Sequence, residues 1–168
     1  MFLTRYIKDI VYGANDGMVT TFAVVAGVQG AGLSASIILI IGFANIIADG
    51  FSMAASDYLG TKSECEAKVG NAIECDRKHI WRSAWYTFWS FVISGVVPLL
   101  PFVFGLEDAL AVKTSALATG VGLFFIGAMR SHYTGRGVIA SGLEVLTIGG
   151  VAATFAYLIG LFIKGLIG

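Results

Sequence analysis

Long apolar runs alternate with short polar breaks along this chain. Five runs are long enough to cross about 30 Å of hydrocarbon at about 1.5 Å per residue: residues 9–31, 34–59, 80–104, 109–130 and 138–167. Gly32 and Leu33 form the first break, Thr61 to His79 the second and longest, Gly105 to Asp108 the third and Ser131 to Gly137 the fourth. The pattern predicts an all-α integral membrane protein of five transmembrane helices, organised as a single domain over residues 1–168 with a short connection at 61–79. Pro98 and Pro101 are expected to kink or end the third span. Trp81, Trp85, Tyr86 and Trp89 are expected to anchor it at the interface. The first run is full length and contains Asn15 and Asp16, so it does not read as a cleavable signal, and the amino terminus is expected to be retained.

The polar residues inside the runs carry the chemical information. Asn45, Asp49, Met53 and Asp57 recur every fourth residue, with Ser52 and Ser56 beside them, and on a helix they make one slowly drifting stripe. An ionised aspartate near the bilayer centre costs about 2.5–3.5 kcal/mol on insertion scales, so the stripe has to face protein or water. Asp16 and Glu144 each fall a short way into the first and fifth spans. With alternating spans, Asp16, Met53 and Glu144 are expected at one depth, with Asp49 a turn deeper. Carboxylate and amide oxygens suit hard divalent ions, and a thioether in the same row biases a site toward softer first-row metals. The candidate metal-binding residues are therefore Asp16, Asn45, Asp49, Met53 and Glu144. Plainer roles stay open: packing for Met53, a helix cap or interhelical hydrogen bond for Asp16 and Asp49, and an ion pair with Arg130 or Arg136 for Glu144. Met18 is a weak further candidate.

Composition narrows the class. At 57% hydrophobic, 13% charged and mean hydropathy +0.82, the chain is too apolar for a soluble domain. No nucleic-acid partner is expected. Its charges are unevenly placed: Arg5, Lys8, Lys62, Lys68, Arg77, Lys78, Arg82, Arg130 and Arg136 fall on one side of the membrane, and only Lys113 and Lys164 on the other. The positive-inside rule then puts the amino terminus in the cytosol and the carboxyl terminus outside or in an organelle lumen. The connection carries Cys65 and Cys75, ten residues apart, which is neither a zinc nor a redox spacing. Asp57, Glu64, Cys65, Glu66, Cys75 and His79, with Met129 on the fourth span, form a candidate cytosolic entrance for metal. The alternative is a solvated charged loop with reduced thiols. Gly13 and Gly17 make a small face on the first span, suited either to packing within the chain or to a dimer interface.

The segments YGANDGMVTTFAVVAGVQGA, ADGFSMAASDYLGTKSE, VVPLLPFVFG, FIGAMRSHYTGR and GLEVLTIGG, in this order, resemble the vacuolar iron transporter family, including its nodulin-like members. The resemblance implies a five-helix homodimer that exports Fe2+ or Mn2+ from the cytosol in exchange for protons, with no permanently bound cofactor and no enzymatic activity. It also implies a path lined by Asp16 and Met53. Two departures stand out: Asn45 replaces an acidic residue found in many relatives, and the connection at 61–79 is too short for their glutamate-rich metal-collecting domain. Such a protein would sit in the plasma membrane of a prokaryote or an organelle membrane of a eukaryote. Two other classes remain open from the residues alone, an intramembrane aspartic protease and a non-transporting assembly or sensor subunit.

Overall fold

The computed structural model describes residues 2–69 and 75–167. Five long helices account for nearly all of them: α1 (Phe2–Gly30), α2 (Ala35–Val69), α3 (Arg77–Val96), α5 (Asp108–Thr134) and α6 (Val138–Ile167), with a one-turn α4 (Leu100–Val103) between α3 and α5. Among the described residues there is no strand. The turn after α1 is made by Gly32 in the left-handed region at φ 70°, where a side chain would be strained. α3 starts at Asp76, whose carboxylate accepts hydrogen bonds from the main-chain N–H groups of Lys78 (3.1 Å) and His79 (3.2 Å). This satisfies two of the donors a helix start leaves unpaired.

The prolines act as expected. After Val96 the chain tightens into a 3-10 turn over Val97–Leu99 and then into α4, with Pro98 and Pro101 each near the start of a segment. Ser115 of α5 donates a 2.6 Å hydrogen bond to the Pro98 carbonyl. A neighbouring helix thus satisfies backbone at the break, as apolar surroundings demand.

The polar connection departs from expectation. α2 does not stop near Leu59 but continues to Val69, so the first half of the 61–79 segment is helix. Charged pairs one turn apart support the extension: Lys62 with Glu66 at 3.8 Å, and Lys68 with Glu64. Residues 70–74 of the connection, Glu74 among them, lie outside the described residues.

Among the described residues, four helical stretches are long and apolar enough to cross a membrane: Ala35–Lys68, Arg77–Val103, Asp108–Ser131 and Val138–Ile167. The chain is an integral membrane protein. α1, expected as a fifth span, is long enough but carries Lys8, Asp9, Asn15 and Asp16 in its first half. It compensates by position, packing mainly against α3 and α6 and also touching α2 and α5. Gly13 and Gly17 allow a close approach to α3, as Gly30 and Gly160 do between α1 and α6. A Cβ at Gly13 would run into Ser90 and the Thr87 carbonyl, and one at Gly17 into the Phe91 carbonyl and Ser94. The small face of α1 is therefore spent on packing within the chain, against α3, and not on a dimer interface. Deeper in the bundle, Val25, Val28, Ile38, Ile46, Leu99, Phe102 and Ala111 form the main apolar core, while Met18 packs with Leu123 and Val145. Met18 is thus a core residue, 4% exposed.

Candidate metal site

α1 and α2 position the candidate residues. The fourfold spacing on α2 holds because the helix is unbroken from Ala35 to Val69. Asn45, Asp49, Met53 and Asp57 are all half-buried, while Ser52 and Ser56 are exposed. Between α1 and α2 lies a hollow of about 470 Å³, lined by Lys8 and Tyr12 from α1 and by Ser52, Met53, Ser56, Asp57, Gly60, Thr61 and Glu64 from α2. A thioether, two carboxylates and three hydroxyl-bearing side chains from α2 thus share one wall, and α1 supplies a cation and a phenol opposite.

Asp16 and Asp49 do not line this hollow. Asp16 of α1 lies instead within electrostatic reach of Asp49 of α2, a turn away from the level at which it was expected with Met53. In sequence Asp49 is one turn beyond Met53, so it continues the stripe inward from the hollow. The Asp16 carbonyl accepts a 2.7 Å hydrogen bond from Thr20, but its carboxyl is not used as a helix cap, since α1 runs on in both directions.

Glu144 is placed differently. Its Oε2 receives Arg130 and Arg136, each at 3.3 Å. Arg130 lines another hollow, between α1, α5 and α6. Within one chain Glu144 is thus engaged by arginines rather than gathered with Met53. Met129 is 52% exposed.

The expected entrance residues are largely committed elsewhere. Cys65 and Cys75 are joined in a disulfide, with Cα atoms 6.0 Å apart. A disulfide sulfur is not the thiolate a metal needs, so the pair is neither a set of reduced thiols nor two free ligands. Glu66 pairs with Lys62. Glu64 pairs with Lys68, which holds its carboxyl below the usual range. Cys75 also precedes the first turn of α3 and does not share a helical face with His79. The His79 ring packs edge-on against Tyr6 with centroids 5.1 Å apart, and its buried Nδ1 has no hydrogen-bond partner among the described residues. Among those residues no three of His, Cys, Asp and Glu converge to hold a metal.

Two residues escaped the sequence reading. Asp9 is a buried carboxylate, 9% exposed, that accepts a 2.7 Å hydrogen bond from Ser83 of α3. Asp57, Lys8 and His79 lie within its electrostatic reach. The available signal was spacing: Asp9 precedes Asp16 by two helical turns and so shares its face. Tyr12, between them on α1, is 61% exposed at the edge of the hollow. A large aromatic so exposed is hard to recognise from a sequence rich in buried ones.

Residues 7–72 and 65–161 match the profile of the VIT family, together spanning most of the chain. The chain belongs to the VIT family. Among curated VIT proteins, Vacuolar iron transporter 1 of Oryza sativa subsp. japonica is 26% identical over 208 aligned positions, covering 90% of this chain and 82% of that protein. Vacuolar iron transporter 1 of Arabidopsis thaliana is also 26% identical, covering 90% and 83%. Vacuolar iron transporter homolog 3 of Arabidopsis thaliana is 26% identical over 161 positions, covering 91% and 80%. The alignments with the first two are longer than this whole chain of 168 residues, so those proteins contain extra residues. The two VIT matches meet at residues 65–72, near the end of α2.

Proposed function

We propose that this VIT protein carries a divalent transition-metal ion, Fe2+ or Mn2+, out of the cytosol in exchange for protons, along a path between two copies of the chain. The observation that carries the proposal is the placement of Met53 in a polar hollow between α1 and α2, with Asp49 one turn further along α2 and within electrostatic reach of Asp16. Relatives bearing the name vacuolar iron transporter support metal as the substrate. The thioether favours a first-row ion over Mg2+ or Ca2+. Asn45 extends the row with a neutral oxygen, and Asp49 supplies the negative charge that Asn45 lacks.

Burial disfavours an ionised carboxyl, and either a proton or a metal ion relieves the cost. Asp16 and Asp49 can therefore alternate between the two, which is the physical basis for exchange. One copy brings too few donors together for a closed site, and a two-fold axis beside the open hollow would double each of them. In this reading α1 is the fifth span, with its polar half facing the path, the amino terminus cytosolic and the carboxyl terminus on the far side. The protein holds no resident cofactor and performs no covalent chemistry.

Proteoliposomes loaded with a metal-sensitive dye test this directly. Fe2+, Mn2+, Zn2+ and Ca2+ are offered under an imposed pH gradient to the parent, Asp16→Ala, Asp49→Ala and Met53→Ala. Asp16→Ala should abolish flux and Met53→Ala should weaken Fe2+ transport most. Parental flux in both variants would remove the path, and absence of flux in the parent would point to a protease or scaffold instead.

A further inference from the structure

A second hollow opens on the other flank of α1. It occupies about 400 Å³ between α1, α5 and α6, within the range of about 300–1,000 Å³ common for small-molecule sites. Its walls are mainly apolar, with Val11 of α1, Ile126 of α5 and Ile148 of α6, and include Tyr12, Asn15 and Thr134. Lys8 and Arg130 also line it. Both lie toward the ends of their helices that charge counting assigns to the cytosolic face, while Val11, Ile126 and Ile148 sit deeper.

Positive charge at that end is in excess. Arg130 and Arg136 share the single carboxylate of Glu144 at 3.3 Å each, so one of the two guanidinium charges is uncompensated. Lys8 adds another cation, although Asp9 lies beside it and Asp57 and Glu64 share its other hollow, so the surplus rests on the two arginines. An apolar slot running inward from a surplus of basic groups is complementary to an anionic lipid. The acyl chain takes the slot, and the phosphate meets the cations at the headgroup level. The hollow between α2 and α3 provides a contrast. At about 480 Å³ it is of similar size, but its lining residues, including Leu59, Trp81 and Trp85, include no cation.

We propose that the hollow between α1, α5 and α6 binds one anionic glycerophospholipid, with its phosphate at Lys8 and Arg130 and an acyl chain along Ile126 and Ile148. Lys8 and Tyr12 border both this hollow and the one at Met53, while Arg130, Ile126 and Ile148 belong to this one alone.

The test counts lipids retained by the full-length protein. It is reconstituted into phosphatidylcholine nanodiscs containing a minority of phosphatidylglycerol, released into mild detergent and weighed by native mass spectrometry. The parent should retain phosphatidylglycerol well above its share of the bilayer. Lys8→Gln and Arg130→Gln should each cut that preference about fivefold, the effect of removing one basic group near an anionic headgroup. Ile148→Trp fills the slot without altering charge and should lower retention, with melting temperature confirming the fold. Leu59→Trp in the uncharged hollow should change nothing. Retention in the parent that merely mirrors bulk composition would overturn the proposal, as would a preference indifferent to all three substitutions in the slot. Inorganic phosphate that raises the melting temperature as much as phosphatidylglycerol does would assign the cations to a free anion and also overturn it. So would retention confined to single copies and absent from a two-copy species, which would give the slot to the second chain.

Discussion

Replacing Ser83 by alanine isolates the polar link that ties the start of α1 to the start of α3. Asp9 is 9% exposed, and its Oδ2 accepts the Ser83 hydroxyl at 2.7 Å. Alanine removes the donor and leaves the carboxyl buried beside Asp57, with Lys8 and His79 as its remaining cationic or polar neighbours. A hydrogen bond to a charged group contributes about 1.5–3 kcal/mol, and the loss leaves the acceptor unsatisfied. With about 2–4 °C of melting shift per kcal/mol for a chain of this size, the expected drop is about 3–12 °C. Tryptophan fluorescence during a thermal ramp in detergent reads it, since Trp81, Trp85 and Trp89 lie on the same helix. Ser83→Thr keeps the hydroxyl and should recover most of the loss. In a double-mutant cycle with Asp9→Asn, the two substitutions should be non-additive by about 0.5–3 kcal/mol. A Ser83→Ala protein that melts with the parent, or strict additivity in the cycle, would refute the account of this contact.

Gly17→Leu should prevent normal assembly of the bundle, because its side chain would occupy the place of the Phe91 carbonyl; size-exclusion chromatography should show aggregate, and a monodisperse product would count against the close contact. Opening the Cys65–Cys75 link by Cys65→Ser should cost about 2–3 kcal/mol through loss of a short covalent loop, read as a lower melting point that reducing agent imposes on the parent but not on the variant. The Glu64 carboxyl is held below its ordinary value by the Lys68 hydrogen bond and charge, so its contribution is present above the ordinary carboxylate range and fades as pH falls through the lowered value. Protection factors at the end of α2, taken relative to the intrinsic exchange rate at each pH, should accordingly fall on acidification in the parent, and Glu64→Gln should flatten that dependence.

Much of the fold was legible because a bilayer imposes length and hydropathy on each helix. The breaks at Gly32, at Pro98 and Pro101, at Gly105 and at Gly135 sit where turn chemistry put them. The extension of α2 past Leu59 was not legible, since the 61–79 segment loses its apolar pattern and is held as helix by charged pairs that also suit a loop. The disulfide was hidden for a related reason: the ten-residue spacing of Cys65 and Cys75 says nothing about how α2 and α3 approach. On the candidate site, periodicity located the stripe of α2, but depth counting set Asp16 level with Met53, whereas Asp16 lies in reach of Asp49, a turn away. Neither could reveal that Glu144 would be taken by two arginines, or that Asp9 would be buried under Ser83, because both depend on how helices distant in sequence rotate against one another.

The interlock of Gly13 and Gly17 with the backbone of α3 bears on how such a protein can work. Helices held so near that not even a methyl group fits between them can neither slide nor twist past each other, so α1 and α3 must travel as one rigid body. Any alternation that exposes Asp16 first to one side of the membrane and then to the other is left to the looser seam between α1 and α2. Paired spin labels should report a constant α1 to α3 separation and a variable α1 to α2 separation as metal and proton concentrations change. A widening between α1 and α3 would place the moving joint elsewhere.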